Sequence, residues 1–322
     1  MHAAPRMNAL IASLSIILPL AGIGGAVYIH QQNIPNLRAA GILFAFLLEA
    51  GIFLATGSSA ARARLAAVTP LRLAAGLTLL TPITWLLAGG GELWQMAATT
   101  AIAAAFAFWY LRFPESDAPV MILYGALALA KVSAMLYFIP WPKAPTAIIG
   151  ELAWLRTMLF AVLLFRRPVL SNYGFLPTKE EWKQGVKWFL FLIPAVLAIG
   201  IPIGFAKLRI LPSDPGKLAL AVVATFLGHY IFVALREEVL FRGMMLPKLQ
   251  AALGATPGLL AGALLFGAVH LPFGQFPNWR FAVVAAVAGW FYAKAYQATG
   301  SVRSAMVTHA LTNVVWRVFL ST

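Results

Sequence analysis

Two adjacent carboxylates, Glu237 and Glu238, stand with Arg236 and Arg242 in an otherwise apolar stretch from Leu218 to Leu249. A charge at membrane depth costs from about 2.5 kcal/mol to several times that, so such residues persist there when they are paired and useful. Further polar groups share the last third of the chain: His270, and His309 with Asn313 four residues on. Glutamate and imidazole exchange protons near neutral pH, and an amide donates hydrogen bonds without changing charge. These are the materials of general acid–base chemistry with a donor alongside.

Spacing sharpens the reading. Glu238 and Arg242 are four residues apart, so on a helix they pair, and Glu237, turned about 100° away, is left to face a cavity. His309 and Asn313 lie one above the other, offering a ring nitrogen and an amide to the same point; Phe266 and His270 share that spacing, so the phenyl ring walls the imidazole. At about 1.5 Å per residue, Glu237 lies roughly 14 Å from a helix end near Leu246, His270 about 20 Å past Pro257, and His309 and Asn313 about 12 and 18 Å past Ser301. All four therefore meet near mid-membrane, on three helices. Taken singly, each has a plainer explanation: an intramembrane histidine commonly bonds a neighbouring helix, and Glu238 with Arg242 makes a structural ion pair. Coincidence in depth favours a shared site. His229, two turns before Glu237, reads as a helix contact, and Arg236 as a snorkelling or paired side chain. Glu49, Lys131, Glu151 and Arg156 are charges without readable partner spacing, except that Glu151 and Arg156 could pair across a turn.

The elements that must hold these groups are transmembrane helices. The 322 residues are 61% hydrophobic and 11% charged, with a mean hydropathy of +0.83. Apolar windows of about 20 residues, the length that crosses the hydrocarbon core, recur along almost the whole chain. The fold expected is an all-α polytopic bundle of about 11 spans. A first span near residues 9–29 reads as a retained anchor rather than a cleaved leader. Six spans form an N-terminal accessory module, residues 1–166. Residues 167–187, rich in Lys, Glu and Trp, form an interfacial amphipathic linker, and residues 188–322 a catalytic-type transmembrane domain. Without cysteine, disulfides and thiolate chemistry are excluded. The +14 net charge is scattered singly through the joints, which argues for membrane orientation over nucleic-acid binding. With the joint holding Arg62, Arg64 and Arg72 placed inside, thirteen Lys and Arg fall on the cytoplasmic side against seven outside, giving a cytoplasmic N-terminus.

In that order and over that distance, the motifs Glu237-Glu238-x-x-x-Arg242, Phe266-x-x-x-His270 and His309-x-x-x-Asn313 resemble the CPBP family of intramembrane proteases (ABI domain), named for CAAX prenyl endopeptidases and bacteriocin-processing enzymes. The likeness covers roughly residues 176–320 and takes in Tyr292 and Thr299-Gly300-Ser301. It implies an endopeptidase cutting near a membrane anchor. Glu237 would be the base activating water, aided by His270; His309 and Asn313 would stabilise the oxyanion, and Glu238 and Arg242 would hold the geometry. A glutamate in a desolvated pocket is a competent base, and each oxyanion donor is worth about 3 kcal/mol. Some members have been described as metalloenzymes, which would make Glu237, His270 and His309 zinc ligands. The metal-free form is preferred, because there is no H-E-x-x-H helix and Asn313 suits an oxyanion better than zinc.

The partners expected are a membrane-anchored peptide or protein substrate and the lipid bilayer, in a bacterial inner membrane. A proton-coupled transporter using the same residues as a relay would be expected to carry internal repeats, and the two halves of the chain do not match. A degenerate scaffold is disfavoured because the motifs are intact.

Overall fold

A computed structural model describes residues 34–114, 116–129, 147–160, 175–209 and 214–321, with isolated positions among residues 15–31 and at 162 and 165. The chain divides into two units, residues 1–169 and 170–322.

In the first unit the helices are α1 (Asn36–Thr56), α2 (Ser59–Ala66), α3 (Pro70–Leu87), α4 (Leu93–Arg112), α5 (Ala118–Leu129) and α6 (Ala147–Phe160). Gly89, at φ +72°, turns the chain out of α3, and a capping box between Glu92 and Gln95 starts α4. The buried charges of this unit pair across helices. Arg156 donates from Nε to Glu49 Oε2 at 2.7 Å and from a terminal nitrogen to Glu49 Oε1 at 3.1 Å. It also reaches Thr81 Oγ1 and the Leu77 carbonyl, both at 3.2 Å, while Thr84 donates to Glu49 Oε1 at 2.9 Å. Arg156 thus pairs with Glu49 on α1, 107 residues away, a partner that no local spacing could show; the side chain of Glu151 lies outside the described residues. Such a pair tolerates burial because its remaining hydrogen-bonding positions are satisfied. Lys131 lies outside the described residues.

The second unit begins with α7 (Lys179–Gly200) and β1 (Lys207–Leu208). A single continuous helix, α8 (Pro215–Leu253), follows. Then come α9 (Ala255–Ala268), α10 (Trp279–Thr299) and α11 (Val302–Val314), which continues through a π-helical turn to Phe319 and ends in β2 (Leu320–Ser321). Local chemistry sets these boundaries. Thr178 and Glu181 form a capping box at the start of α7, and Asp214 caps α8 with Pro215 at its first position. Gly300, at φ +67°, closes α10. Residues 179–187 are the first turns of α7, continuous with its apolar part. The core gathers Leu192 and Val196 of α7, Phe266 of α9, Val284, Ala288 and Tyr292 of α10, and Ala305 of α11. β1 and β2 pair antiparallel, Leu208 opposite Leu320, tying the end of α11 to the loop after α7.

Among the described residues the protein is all-α apart from that two-residue ladder. Among the described residues four helices are long and apolar enough to cross a membrane: 37–55 within α1, α3, α7 and α8, with α9 a shorter apolar helix. The expected first span, about residues 9–29, lies largely outside the described residues.

Candidate active site

α8 departs from α-helical geometry on both sides of the carboxylate pair. Residues Tyr230–Ala234 and Val239–Met245 are π-helical, and Leu235–Glu238 is a single α-turn between them. A π turn holds an extra residue, loosens the backbone ladder, and re-aims the side chains beyond it. Glu238 is fully buried, whereas the side chain of Glu237 is 24% exposed.

Glu238 is the hub. Its Oε1 lies 2.8 Å from His309 Nδ1 and accepts from Arg242 at 3.2 Å, and its Oε2 is also 3.2 Å from that guanidinium. Arg242 donates from its other terminal nitrogen to the Gly289 carbonyl at 2.8 Å. A carboxylate paired with an arginine is an acceptor, so His309 Nδ1 carries the hydrogen and Nε2 is the free end of the ring. That Nε2 lies 3.9 Å from Glu237 Oε2, an oxygen that is buried and has no hydrogen-bond partner. At that separation the two atoms make no direct hydrogen bond.

Aromatic rings fix the imidazole from the sides. Tyr292 stacks on His309 with centroids 4.4 Å apart and planes 15° from parallel. Phe266 meets the same imidazole edge-on at 5.9 Å, and the Arg242 guanidinium sits 4.5 Å over the Phe266 ring. The helices can come this close because α10 has no side chain at Gly289, where a Cβ would stand 3.1 Å from Phe266. Neither the stacking by Tyr292 nor the carbonyl contact at Gly289 is legible in spacing alone. The signal available was that Gly289 and Tyr292 stand three apart, on one face of α10.

His270 lies differently from the sequence expectation. α9 ends at Ala268, and His270 occupies the turn beyond it, its backbone N–H bonded to the Gly267 carbonyl at 2.9 Å. Instead of a mid-helix position it has the C-terminal end of a short helix, half-buried. Its Nδ1 donates to the Phe266 carbonyl at 2.7 Å, leaving Nε2 free. The ring packs on Phe281 at 4.6 Å and Phe266 at 4.9 Å, within electrostatic reach of Glu237 and His309. Asn313 follows His309 by one turn of α11, half-buried, and its amide has no hydrogen bond among the described residues. His229 donates from Nδ1 to the Thr225 carbonyl at 2.9 Å within its own helix.

The zinc alternative needs Glu237, His270 and His309 as one cluster. Among the described residues no three His, Cys, Asp or Glu side chains stand close enough to hold a metal ion. The contact of His309 Nδ1 with Glu238 leaves Nε2 as the ring nitrogen that faces the site.

The site is thus a carboxylate–imidazole–guanidinium constellation buried among apolar helices. Residues 219–315, which span α8 to the end of α11, match the family model described as type II CAAX prenyl endopeptidase Rce1-like, consistent with the CPBP family. The match is confined to this segment of the chain. No curated protein and no solved structure matches the chain.

Proposed function

We propose that the protein is an intramembrane endopeptidase of the CAAX-protease type that hydrolyses a peptide bond near a membrane anchor without a metal. The observation that carries this reading is the approach of Glu237 and Glu238 to His309, which lies 71 residues beyond Glu238 along the chain. Glu237 takes a proton from a water, whose oxygen bonds to the carbonyl carbon. The oxyanion so formed is met by the Asn313 amide and by His309, which acts in its imidazolium form, protonated on both nitrogens before the water attacks, so that Nε2 donates a hydrogen bond and keeps its proton throughout. The C–N bond then breaks and the proton held by Glu237 passes to the leaving nitrogen, so atoms and charges balance. His270, with Nε2 free, assists at the Glu237 side, and Glu238 and Arg242 orient His309. The domain sits in a chain of about 11 crossings, with its N-terminus in the cytoplasm of a bacterial cell.

The deciding experiment uses the full protein in proteoliposomes with two reporters, one a prenylated C-terminal peptide and the other a peptide on a transmembrane anchor. Cleavage of either, lost by a factor of about 100 or more in Glu237→Gln while the protein stays folded and inserted, supports the proposal. Cleavage that survives Glu237→Gln, or that a zinc chelator abolishes, refutes it in this form.

A further inference from the structure

We infer that the outer face of α7 is a binding site for an anionic phospholipid. Lys179, Lys183 and Lys187 recur every four residues, so their ammonium groups form one ladder, about 12 Å long, beginning at the N-terminal end of the helix. With Trp182, Val186, Leu190 and Phe191 they line a groove of about 740 Å³. The groove is cationic at one end and apolar at the other, where Leu190 is 63% and Phe191 57% exposed.

Nearby carboxylates do not cancel the charge. Glu181 is turned inward and held by Arg303 at 2.7 Å. Glu180 accepts from Gln184 at 2.7 Å and reaches only Lys183, at 3.8 Å across open solvent. A free phosphate would satisfy the lysines and leave Leu190 and Phe191 uncovered. A phospholipid satisfies both, with its headgroup on the lysines and an acyl chain along the apolar floor. Since α7 is long and apolar enough to cross the bilayer, its lysine-bearing end falls at headgroup depth.

The opposite face of the same helix bears on the candidate active site. At Gly185 a Cβ would stand 2.6 Å from Val307, and Thr308 donates to the Gly185 carbonyl at 2.9 Å. A lipid seated on α7 therefore braces α11, the helix that presents His309. Only this second consequence, on cleavage, rests on the proposed function.

The binding itself is read by native mass spectrometry of the full protein, titrated with phosphatidylglycerol or phosphatidylcholine. One phosphatidylglycerol should be retained at about tenfold lower concentration than phosphatidylcholine. Lys179→Gln/Lys183→Gln/Lys187→Gln should erase the preference, and the corresponding Lys→Arg triple should keep it. Lys207→Gln/Lys217→Gln, at the other end of the unit, should leave it unchanged. Equal retention of the two lipids overturns the site as mere annular lipid. So does a preference that outlives the Gln triple, or displacement by inorganic phosphate, which would mark a free-anion site. None of these readouts needs the protein to cleave anything.

Discussion

Glu238 has two close partners, Arg242 and His309, where its neighbour Glu237 has one loose one. A carboxylate that accepts from both Arg242 and His309 is a fixed point, whereas Glu237 keeps a buried oxygen without a hydrogen bond among the described residues, and that difference suits the roles of holder and reactant that the proposed function gives the pair. Removing Arg242 leaves a buried carboxylate with only an imidazole beside it. Arg242→Met should cost about 3 kcal/mol or more of stability, read as a fall in the thermal midpoint, and the double change Glu238→Gln/Arg242→Met should recover part of the loss. Tyr292 acts through His309 and not on substrate. Tyr292→Leu, which keeps bulk but loses the stacked ring, should lower kcat about tenfold with KM little changed and shift the His309 ring resonances. Tyr292→Phe, which keeps the ring, should restore most of the rate; a purely structural role would instead move stability and leave the His309 resonances in place.

At the scale of elements, the site depends on helices that approach closely and on one helix that does not stay α-helical. Between the π segments, the α-turn Leu235–Glu238 presents its two carboxylates differently to the same imidazole, Glu238 buried against Nδ1 and Arg242, Glu237 partly exposed beside Nε2. Close approach is secured at Gly185 between α7 and α11 and at Gly289 between α10 and α9. Gly185→Leu forces α11 outward at Val307 and Thr308, two and one residues before His309. It should lose most of the cleavage activity together with about 2 kcal/mol of stability, measured by activity and thermal unfolding side by side.

At the scale of the molecule, the family match and every candidate site residue lie in the second unit, while the first has its own buried network around Glu49 and Arg156. Glu49→Gln removes the carboxylate charge that faces the buried Arg156 guanidinium at 2.7 Å, and about 3 kcal/mol should be lost from the first unit. Limited proteolysis should open residues 1–169 before residues 170–322.

What the chain determines by itself is whatever depends on local geometry or on solvent. Apolar windows of bilayer length dictate an all-helical membrane fold, because an unpaired backbone cannot be left in hydrocarbon. The four-residue step from Glu238 to Arg242 dictates their ion pair, because a helix returns to the same face after about 3.6 residues. The motifs in order point to the family. Contacts across helices are different in kind. Glu238 with His309, Tyr292 against that imidazole and Glu49 with Arg156 all require the rotation and depth of one helix against another. Those are set by glycine notches, by π turns that alter the phase of α8, and by the early end of α9 that moves His270 out of the helix. No periodicity encodes them, because each results from many side chains packing at once, and only the tertiary structure decides it.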